Sequence, residues 1–174
     1  AYLSVVPKVG ALFALTQVLR DLPLESGWTA VIAGLAVLSM TYGYLAALAQ
    51  DNVVRLLAYS SIAQSGYFLL GILAVGSSSL ALPSIILFAA AYAAMNLGAF
   101  AVVLFFEGVT GSDKIENLRG LGPKYPLISI AMVALLVSLT GLPPTVGFYG
   151  KYLLFIEGVN AGLMWLVVVA AINS

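Results

Sequence analysis

The segment GLPPTVGFYGK at residues 141–151 interrupts an apolar stretch and decides how the fold is interpreted. Pro143 and Pro144 lack backbone N–H groups, and each proline ring clashes with the carbonyl four residues earlier, so no straight helix can pass through. Three glycines loosen the same segment: Gly141, Gly147 and Gly150. The sequence therefore predicts a helix break over 141–150, followed at once by a lysine.

The composition identifies the solvent of this chain as lipid. Apolar residues make up 62% of the sequence and charged residues 8%, whereas a soluble domain carries about 25% charged residues. The absence of cysteine and histidine from the sequence argues against disulfides, iron–sulfur clusters, haem histidine ligands and ordinary zinc sites. The net charge is zero, so nothing indicates a nucleic-acid partner. We expect a polytopic membrane protein.

Charged residues mark the ends of the membrane spans. The uncharged run from Leu56 to Phe106 is long enough for two crossings at about 20 residues each, with GSSSLALP (76–83) as the turn between them. No run shows the alternation of a barrel strand, so an all-α bundle is predicted. Its helices are expected at 1–20, 29–49, 54–75, 83–106, 125–158 with the break inside, and from 160 onward. Residues 1–174 are expected to form a single membrane domain that is incomplete at both ends.

The positions of lysine and arginine predict the orientation. Arg55, Lys114, Arg119 and Lys124 fall in the loops at 50–55 and 107–124, whereas only Arg20 borders the opposite loops. Positive residues concentrate on the cytoplasmic side, so these two loops are expected in the cytoplasm, or in the matrix or stroma of an organelle. Tyr42 and Tyr44 are interpreted as residues of the interfacial aromatic belt.

Lys8 and Lys151 fall where the hydrocarbon core is expected. Lys8 precedes Arg20 by about 18 Å of helix, which is mid-membrane if Arg20 marks the surface. An ammonium in hydrocarbon costs at least about 2.5–3.5 kcal/mol, so two such residues suggest a function. The structural alternative is a lysine that snorkels from a helix end. A functional lysine suits proton transfer, because burial lowers the pKa of an ammonium from about 10.4 toward neutrality.

The break itself has two interpretations. Discontinuous helices at mid-depth commonly hold ion sites in transporters, and their freed carbonyls must face protein or a water-filled cavity. The alternative is an ordinary loop between two short segments. Polar side chains inside the spans could connect the two lysines in a relay, although serine and threonine there often serve only helix packing. The candidates are Tyr59, Ser60, Ser61, Gln64 and Ser65 on the third helix, Asn96 on the fourth, and Ser138 and Thr140 on the fifth, with added hydroxyls from Tyr67 and Tyr92.

Several motifs along the whole chain resemble the N-type (subunit 2) membrane subunits of NADH:quinone oxidoreductase, complex I, within the wider Mrp-antiporter-like family. They are AYLSVVPKVGALFAL (1–15), RLLAYSSIAQSGY (55–67), MNLGAFAVV (95–103), LRGLGPKYPLISIAM (118–132) and SLTGLPPTVGFYGKYLLF (138–155). The resemblance implies a fragment that covers about helices 8 to 13 of a protein with about fourteen helices. The glutamate of the family's fifth helix and the lysine of its seventh would precede Ala1.

The resemblance also implies roles for individual residues. Lys8 corresponds to the family's central-axis lysine of the eighth helix, and Lys151 to the lysine of the broken twelfth helix. Many members have histidine where this chain has Gln64, and glutamine cannot titrate near neutral pH. A titratable side chain at that position is therefore in doubt as a general requirement.

The implied function is proton translocation, relayed by Lys8 and exchanged by Lys151, in an enzyme complex whose redox chemistry lies elsewhere. NADH, FMN, iron–sulfur clusters and quinone would bind partner subunits, and no cofactor or metal is expected in this chain. The expected partners are neighbouring antiporter-like and small membrane subunits, together with lipid. The expected location is the bacterial inner membrane, or the mitochondrial inner or thylakoid membrane. A subunit of a multisubunit Na⁺/H⁺ antiporter and a passive membrane anchor stay open as alternatives.

Overall fold

The computed structural model describes residues 2–20 and 27–174, and the chain folds into a bundle of α-helices. Helices α2, α3 and α4 are each long and apolar enough to cross a membrane. The elements in chain order are α1 (Tyr2–Arg20), α2 (Trp28–Leu48), α3 (Val53–Ala74), α4 (Ala81–Thr110), a 3₁₀ helix (Ile115–Leu118), α5 (Leu121–Lys124), α6 (Pro126–Thr140), α7 (Val146–Asn160) and α8 (Met164–Ile172). The predicted all-α membrane bundle with one discontinuous helix is confirmed.

Local signals in the sequence set the helix ends. The Asn52 side chain caps α3 by accepting a hydrogen bond from the backbone N–H of Arg55 at 2.9 Å, which satisfies one of the free donors of the first turn. Pro126 begins α6, where its missing N–H has no helical partner in any case. Helix α4 continues past the predicted end at 106, until Gly111 adopts a φ of 69° and ends it.

Two loops are joined at one end of the bundle, which we call the bridged end (residues 49–52 and 111–120). The backbone N–H of Val53 donates to the carbonyl of Asp113 at 3.0 Å, and that of Ile115 to the carbonyl of Asp51 at 2.9 Å. The Asn52 side-chain amide also donates to the Asp113 carboxylate. The predicted loops 50–55 and 107–124, which together carry four of the seven lysine and arginine residues, therefore lie on the same side. The connections 75–80 and 161–163 form the opposite end.

Helix α3 lies at the centre of the bundle, and every residue from Gly66 to Ala74 is buried. Glycines let it approach α2 closely. A Cβ atom added at Gly43 would lie 2.6 Å from the Ala63 backbone nitrogen, and one added at Gly66 would lie 2.7 Å from the Ala36 carbonyl oxygen. Small residues at such contacts are typical of helix association in membranes, where van der Waals packing holds helices together.

The helix break is shorter than the sequence predicts. Helix α6 ends at Thr140, and α7 begins at Val146 with Thr145 as its N-cap, so the non-helical segment is 141–145 rather than 141–150. The sequence predicts that Gly147 and Gly150 loosen the break, but both lie inside α7. Their role is close packing: an added Cβ would lie 1.7 Å from the Ser138 carbonyl oxygen and 2.9 Å from the Phe88 ring, respectively.

Candidate functional site

The C-terminal end of α6 presents carbonyl groups in the interior of the bundle. A helix leaves its last four carbonyl groups without partners within the helix. Two of these groups are satisfied locally, because the N–H of Gly141 donates to the carbonyls of Val137 and Ser138 at 3.2 and 3.1 Å. Gly141 adopts a φ of 86° to make this turn, a conformation that glycine reaches without strain.

The other two carbonyl groups of α6 are satisfied by side chains from other helices. The Gln64 side-chain amide of α3 donates to the carbonyl of Leu139 at 3.1 Å. The Lys151 ammonium of α7 donates to the carbonyl of Thr140 at 2.9 Å. Gln64 and Lys151 therefore complete the hydrogen bonding of the broken helix, and the break determines where both polar groups lie.

Several groups around Lys151 interact favourably with a positive charge. The side chain is 3% exposed, and its Nζ lies at the negative end of the α6 dipole, where a cation is stabilised. Nζ also donates to the Ser174 hydroxyl at 3.0 Å and lies 4.6 Å from the centroid of the Tyr67 ring, within the range of a cation–π interaction. Within residues 2–20 and 27–174, no carboxylate forms an ion pair with Lys151.

Lys8 of α1 points into the bundle and contacts α3. Its Nζ donates to the Ser61 carbonyl at 2.6 Å and to the Ser61 hydroxyl at 2.5 Å. The Tyr92 hydroxyl of α4 donates to the same Ser61 hydroxyl at 2.8 Å. Lys8, Ser61 and Tyr92 thus form one polar cluster that joins three helices.

Helix α3 connects this cluster with the break. Ser61 and Gln64 are three residues apart and therefore share one face of the helix, separated by about 4.5 Å of rise. The Gln64 amide also donates to the Tyr44 hydroxyl at 3.2 Å. The Gln64 Oε1 atom is buried and has no hydrogen-bond partner among the described residues. Gln64 therefore retains an acceptor that a water molecule or another donor can use.

Other residues of the predicted relay have different surroundings. Tyr59 packs edge-on against Tyr42, with ring centroids 6.3 Å apart. Asn96 is buried on α4. Thr140 contributes its carbonyl rather than its hydroxyl, which donates to Val137 at 2.7 Å. Pro143 and Pro144 lie in the break and are exposed.

Sequence reasoning missed two polar groups. Tyr44 was interpreted as an interfacial residue, yet its hydroxyl is bonded to Gln64 inside the bundle. Glu157 was not singled out, although its side chain is 3% exposed. Its position within an apolar stretch shortly after Lys151 is the signal that could have identified it. The backbone acceptors, the carbonyls of Ser61 and Thr140, have no signal in the sequence.

A cavity of about 450 Å³ extends from the bridged end to the break. Gln50 and Ile115 line it at the bridged end, and Gln64 and Thr140 line it next to the end of α6. Ser60 and Tyr44 add further polar groups to its wall. The cavity therefore reaches the residue whose carbonyl accepts the Lys151 hydrogen bond.

Ion sites of transporters commonly lie at helix breaks inside polytopic bundles, and Lys151 is a buried lysine beside such a break. The family model described as NADH:quinone oxidoreductase/Mrp antiporter, transmembrane, matches residues 1–174. The chain belongs to this family, and it is a membrane protein whose relatives include bacterial respiratory subunits.

Curated relatives support the resemblance to the N-type subunits. The NADH-quinone oxidoreductase subunit N 2 of Symbiobacterium thermophilum is 41% identical over 179 residues, which cover 100% of this chain and 35% of the relative. Subunit N 1 of Streptomyces griseus is 41% identical over 176 residues, which cover 100% of this chain and 36% of the relative. The chain thus spans about a third of the length of these proteins.

Solved structures with the same fold come from several membrane complexes. Respiratory complex I from Thermus thermophilus, determined with bound aureothin, matches with a TM-score of 0.71 and 39% identity over 83% of this chain and 32% of that chain. The Mrp complex from a Dietzia species matches with a TM-score of 0.83 and 25% identity over 94% of this chain and 30% of that chain. The fold is therefore common to redox-linked and antiporter complexes.

Proposed function

We propose that this chain is part of the C-terminal half of a proton-translocating membrane subunit in an NADH:quinone oxidoreductase, with residues 1–174 in one membrane domain. The sequence identity of about 40% with curated N subunits supports the assignment to an NADH:quinone oxidoreductase. The hydrogen bond from Lys151 to the end of the broken helix α6 carries the proposal for the mechanism. It gives a buried, titratable group a fixed place near a cavity whose mostly apolar wall includes Ser60, Gln64 and Thr140.

Lys151 would act by alternating between the ammonium and the amine. The carbonyl of Thr140 and the negative end of α6 stabilise the ammonium, whereas removal from water disfavours it. These opposed effects allow a modest change in the surroundings to bind or release the proton. Lys8 would exchange protons laterally, since Ser61 places its ammonium on the same helix face as Gln64.

The redox chemistry would lie in partner subunits. We expect the flavin, the iron–sulfur clusters and the quinone site there, with NADH as the electron donor, while this chain contributes an ion pathway. Neighbouring antiporter-like and small membrane subunits would pack against the bundle together with lipid. Leu35, Leu38 and Leu45 on α2 are more than half exposed and are suited to either contact.

A subunit of a multisubunit Na⁺/H⁺ antiporter is the second candidate. The TM-score of 0.83 to the Mrp complex favours it, whereas the higher sequence identity to N subunits favours the redox complex. A passive membrane anchor would have no use for two lysines whose ammonium groups lie inside the bundle at a cost. Mass spectrometry of the co-purifying subunits separates the first two candidates: flavin and iron–sulfur subunits indicate the oxidoreductase, and antiporter subunits indicate the alternative.

The mechanism is tested with Lys151→Met in the full-length subunit within its assembled complex. The variant removes the titratable amine but keeps an unbranched side chain, so we expect assembly and quinone reduction with fewer protons moved per quinol. The matched control is Lys124→Met, because Lys124 is exposed at the end of α5. An unchanged proton-to-electron ratio in Lys151→Met would leave this lysine with only a structural role.

A further inference from the structure

We propose that Glu157 is a further proton-exchange residue, which connects Lys151 with the aqueous phase at the opposite end of the bundle. This inference rests on the proposed function of Lys151. Glu157 is 3% exposed, and its Oε2 atom has no hydrogen-bond partner among the described residues. It is also the only acidic side chain among the buried residues in the part of the chain that the structure describes.

The position of Glu157 is on the way from Lys151 to the opposite end. It follows Lys151 on α7 by about 9 Å of helix rise, and α7 ends shortly afterwards at Asn160. The adjacent Gly158 lies between α3 and α8, because an added Cβ would be 3.0 Å from Leu70 and 2.7 Å from Val167. The cavity at the break extends the other way, toward Gln50 at the bridged end.

Both polar side chains belong to the buried face of α7. This face comprises Gly147, Gly150, Lys151, Leu154, Glu157 and Gly158. Helical side chains lean toward the N-terminus of their own helix, so the Glu157 carboxyl leans toward the Lys151 end of α7. The Lys151 side chain leans the same way and reaches the carbonyl of Thr140 at the end of α6. Leu154 separates the two groups and is fully buried, so bridging water is needed to connect them.

The lack of a partner indicates the chemistry of this carboxyl group. A buried carboxylate oxygen without a hydrogen-bond partner, such as Oε2 of Glu157, costs desolvation free energy, and a water molecule or a donated proton can supply the missing partner. In the proposed step the Lys151 ammonium loses a proton through water to the Glu157 carboxylate, which leaves a neutral amine and a carboxylic acid. The acid then releases the proton to water at the opposite end. The reverse sequence loads the lysine.

The test compares Glu157→Gln with wild type in the full-length subunit within its assembled complex. Glutamine keeps the size and shape of the side chain but cannot exchange a proton. We expect assembly and quinone reduction, with the proton-to-electron ratio lowered to the level of Lys151→Met. Glu116→Gln is the matched control, because Glu116 is exposed at the bridged end, and it should pump as wild type.

A second measurement does not depend on the assembly of the glutamine variant. Infrared difference spectra of the wild-type complex during turnover should show the carbonyl stretch of a protonated carboxyl group, and this band should shift in Glu157→Asp. Normal pumping in Glu157→Gln, or a band that Glu157→Asp does not shift, would overturn the inference. If Lys151→Met lowers pumping and Glu157→Gln does not, only the role of Glu157 fails. If neither variant changes pumping, the proposed function fails as well.

Discussion

At the scale of single residues, each lysine is held by a main-chain oxygen. Lys8 donates to the carbonyl of Ser61 and Lys151 to the carbonyl of Thr140. These bonds lower the cost of an ammonium in the interior, because hydrogen bonds to charged groups contribute about 1.5–3 kcal/mol. They leave the nitrogen able to lose a proton, since no carboxylate among the described residues holds it.

The first prediction concerns Lys8. Lys8→Ala removes the donor to Ser61, and we expect strongly reduced proton pumping in the assembled complex. Lys8→Arg retains the positive charge, but a guanidinium does not release its proton near neutral pH. It should therefore assemble and also pump poorly. Proton uptake by reconstituted vesicles, normalised to quinone reduction, measures both variants. Wild-type pumping in Lys8→Ala would refute a role in proton transfer.

At the scale of helices, the contact between α6 and α7 depends on glycine. A Cβ at Gly147 would lie 1.7 Å from the carbonyl oxygen of Ser138, and the Gly147 N–H donates to the Ser138 hydroxyl at 3.2 Å. Helices α6 and α7, the two halves of the broken helix, thus pack in close backbone contact beside Lys151. Any side chain at this position must separate them.

The second prediction follows from this contact. Gly147→Ala should destabilise the subunit by about 1–3 kcal/mol, the usual cost of overpacking, and reduce the fraction that survives heating in the assembled complex. Gly108→Ala is the matched control, since an added Cβ there meets nothing within 4 Å. Equal heat resistance of the two variants would show that α6 and α7 separate at little cost.

The sequence predicts some helices better than others, for physical reasons. Charges and turns locate the spans well: 29–49 is expected and Trp28–Leu48 is observed. The sequence predicts the position of the helix break, but it places the end of the break at 150 rather than at 145. Glycine is suited both to a turn and to a close helix contact, so Gly147 and Gly150 do not distinguish the two. Gly150 contacts Phe88, a residue distant in the sequence, and no local pattern reveals such a contact. The hydrogen bonds of Gln64 and Lys151 depend on tertiary contacts in the same way.

At the scale of the whole molecule, the bridged end gives the bundle two unlike ends. Residues 51–53 and 113–115 exchange backbone hydrogen bonds, and the cavity opens toward them. Glu157 lies toward the other end. The two halves of the proposed pathway therefore differ: a cavity lies between Lys151 and the bridged end, and the Glu157 carboxyl group lies between Lys151 and the opposite end.

The third prediction concerns the orientation of the bundle. Residues 1–174 contain no cysteine, so a single introduced cysteine is the only thiol in this part of the chain, and the unsubstituted protein is the labelling control. Asp51→Cys and Asn117→Cys lie at the bridged end and should react with an impermeant maleimide from the cytoplasmic side of inside-out vesicles. Ser79→Cys, which is exposed at the opposite end, should react only from the other side. Labelling of Asn117→Cys and Ser79→Cys from one side would contradict the topology.

The main-chain acceptors of the two lysines limit what a mutational scan can detect. Any substitution at Ser61 or Thr140 changes the side chain but leaves the carbonyl oxygen that binds the ammonium. A mutational scan would therefore detect the two lysine side chains but not the backbone carbonyls that accept their hydrogen bonds. If Thr140 tolerates substitution, its carbonyl can still bind the Lys151 ammonium. Only a change of the backbone itself, such as an ester that weakens this carbonyl as an acceptor, would test that half of the contact.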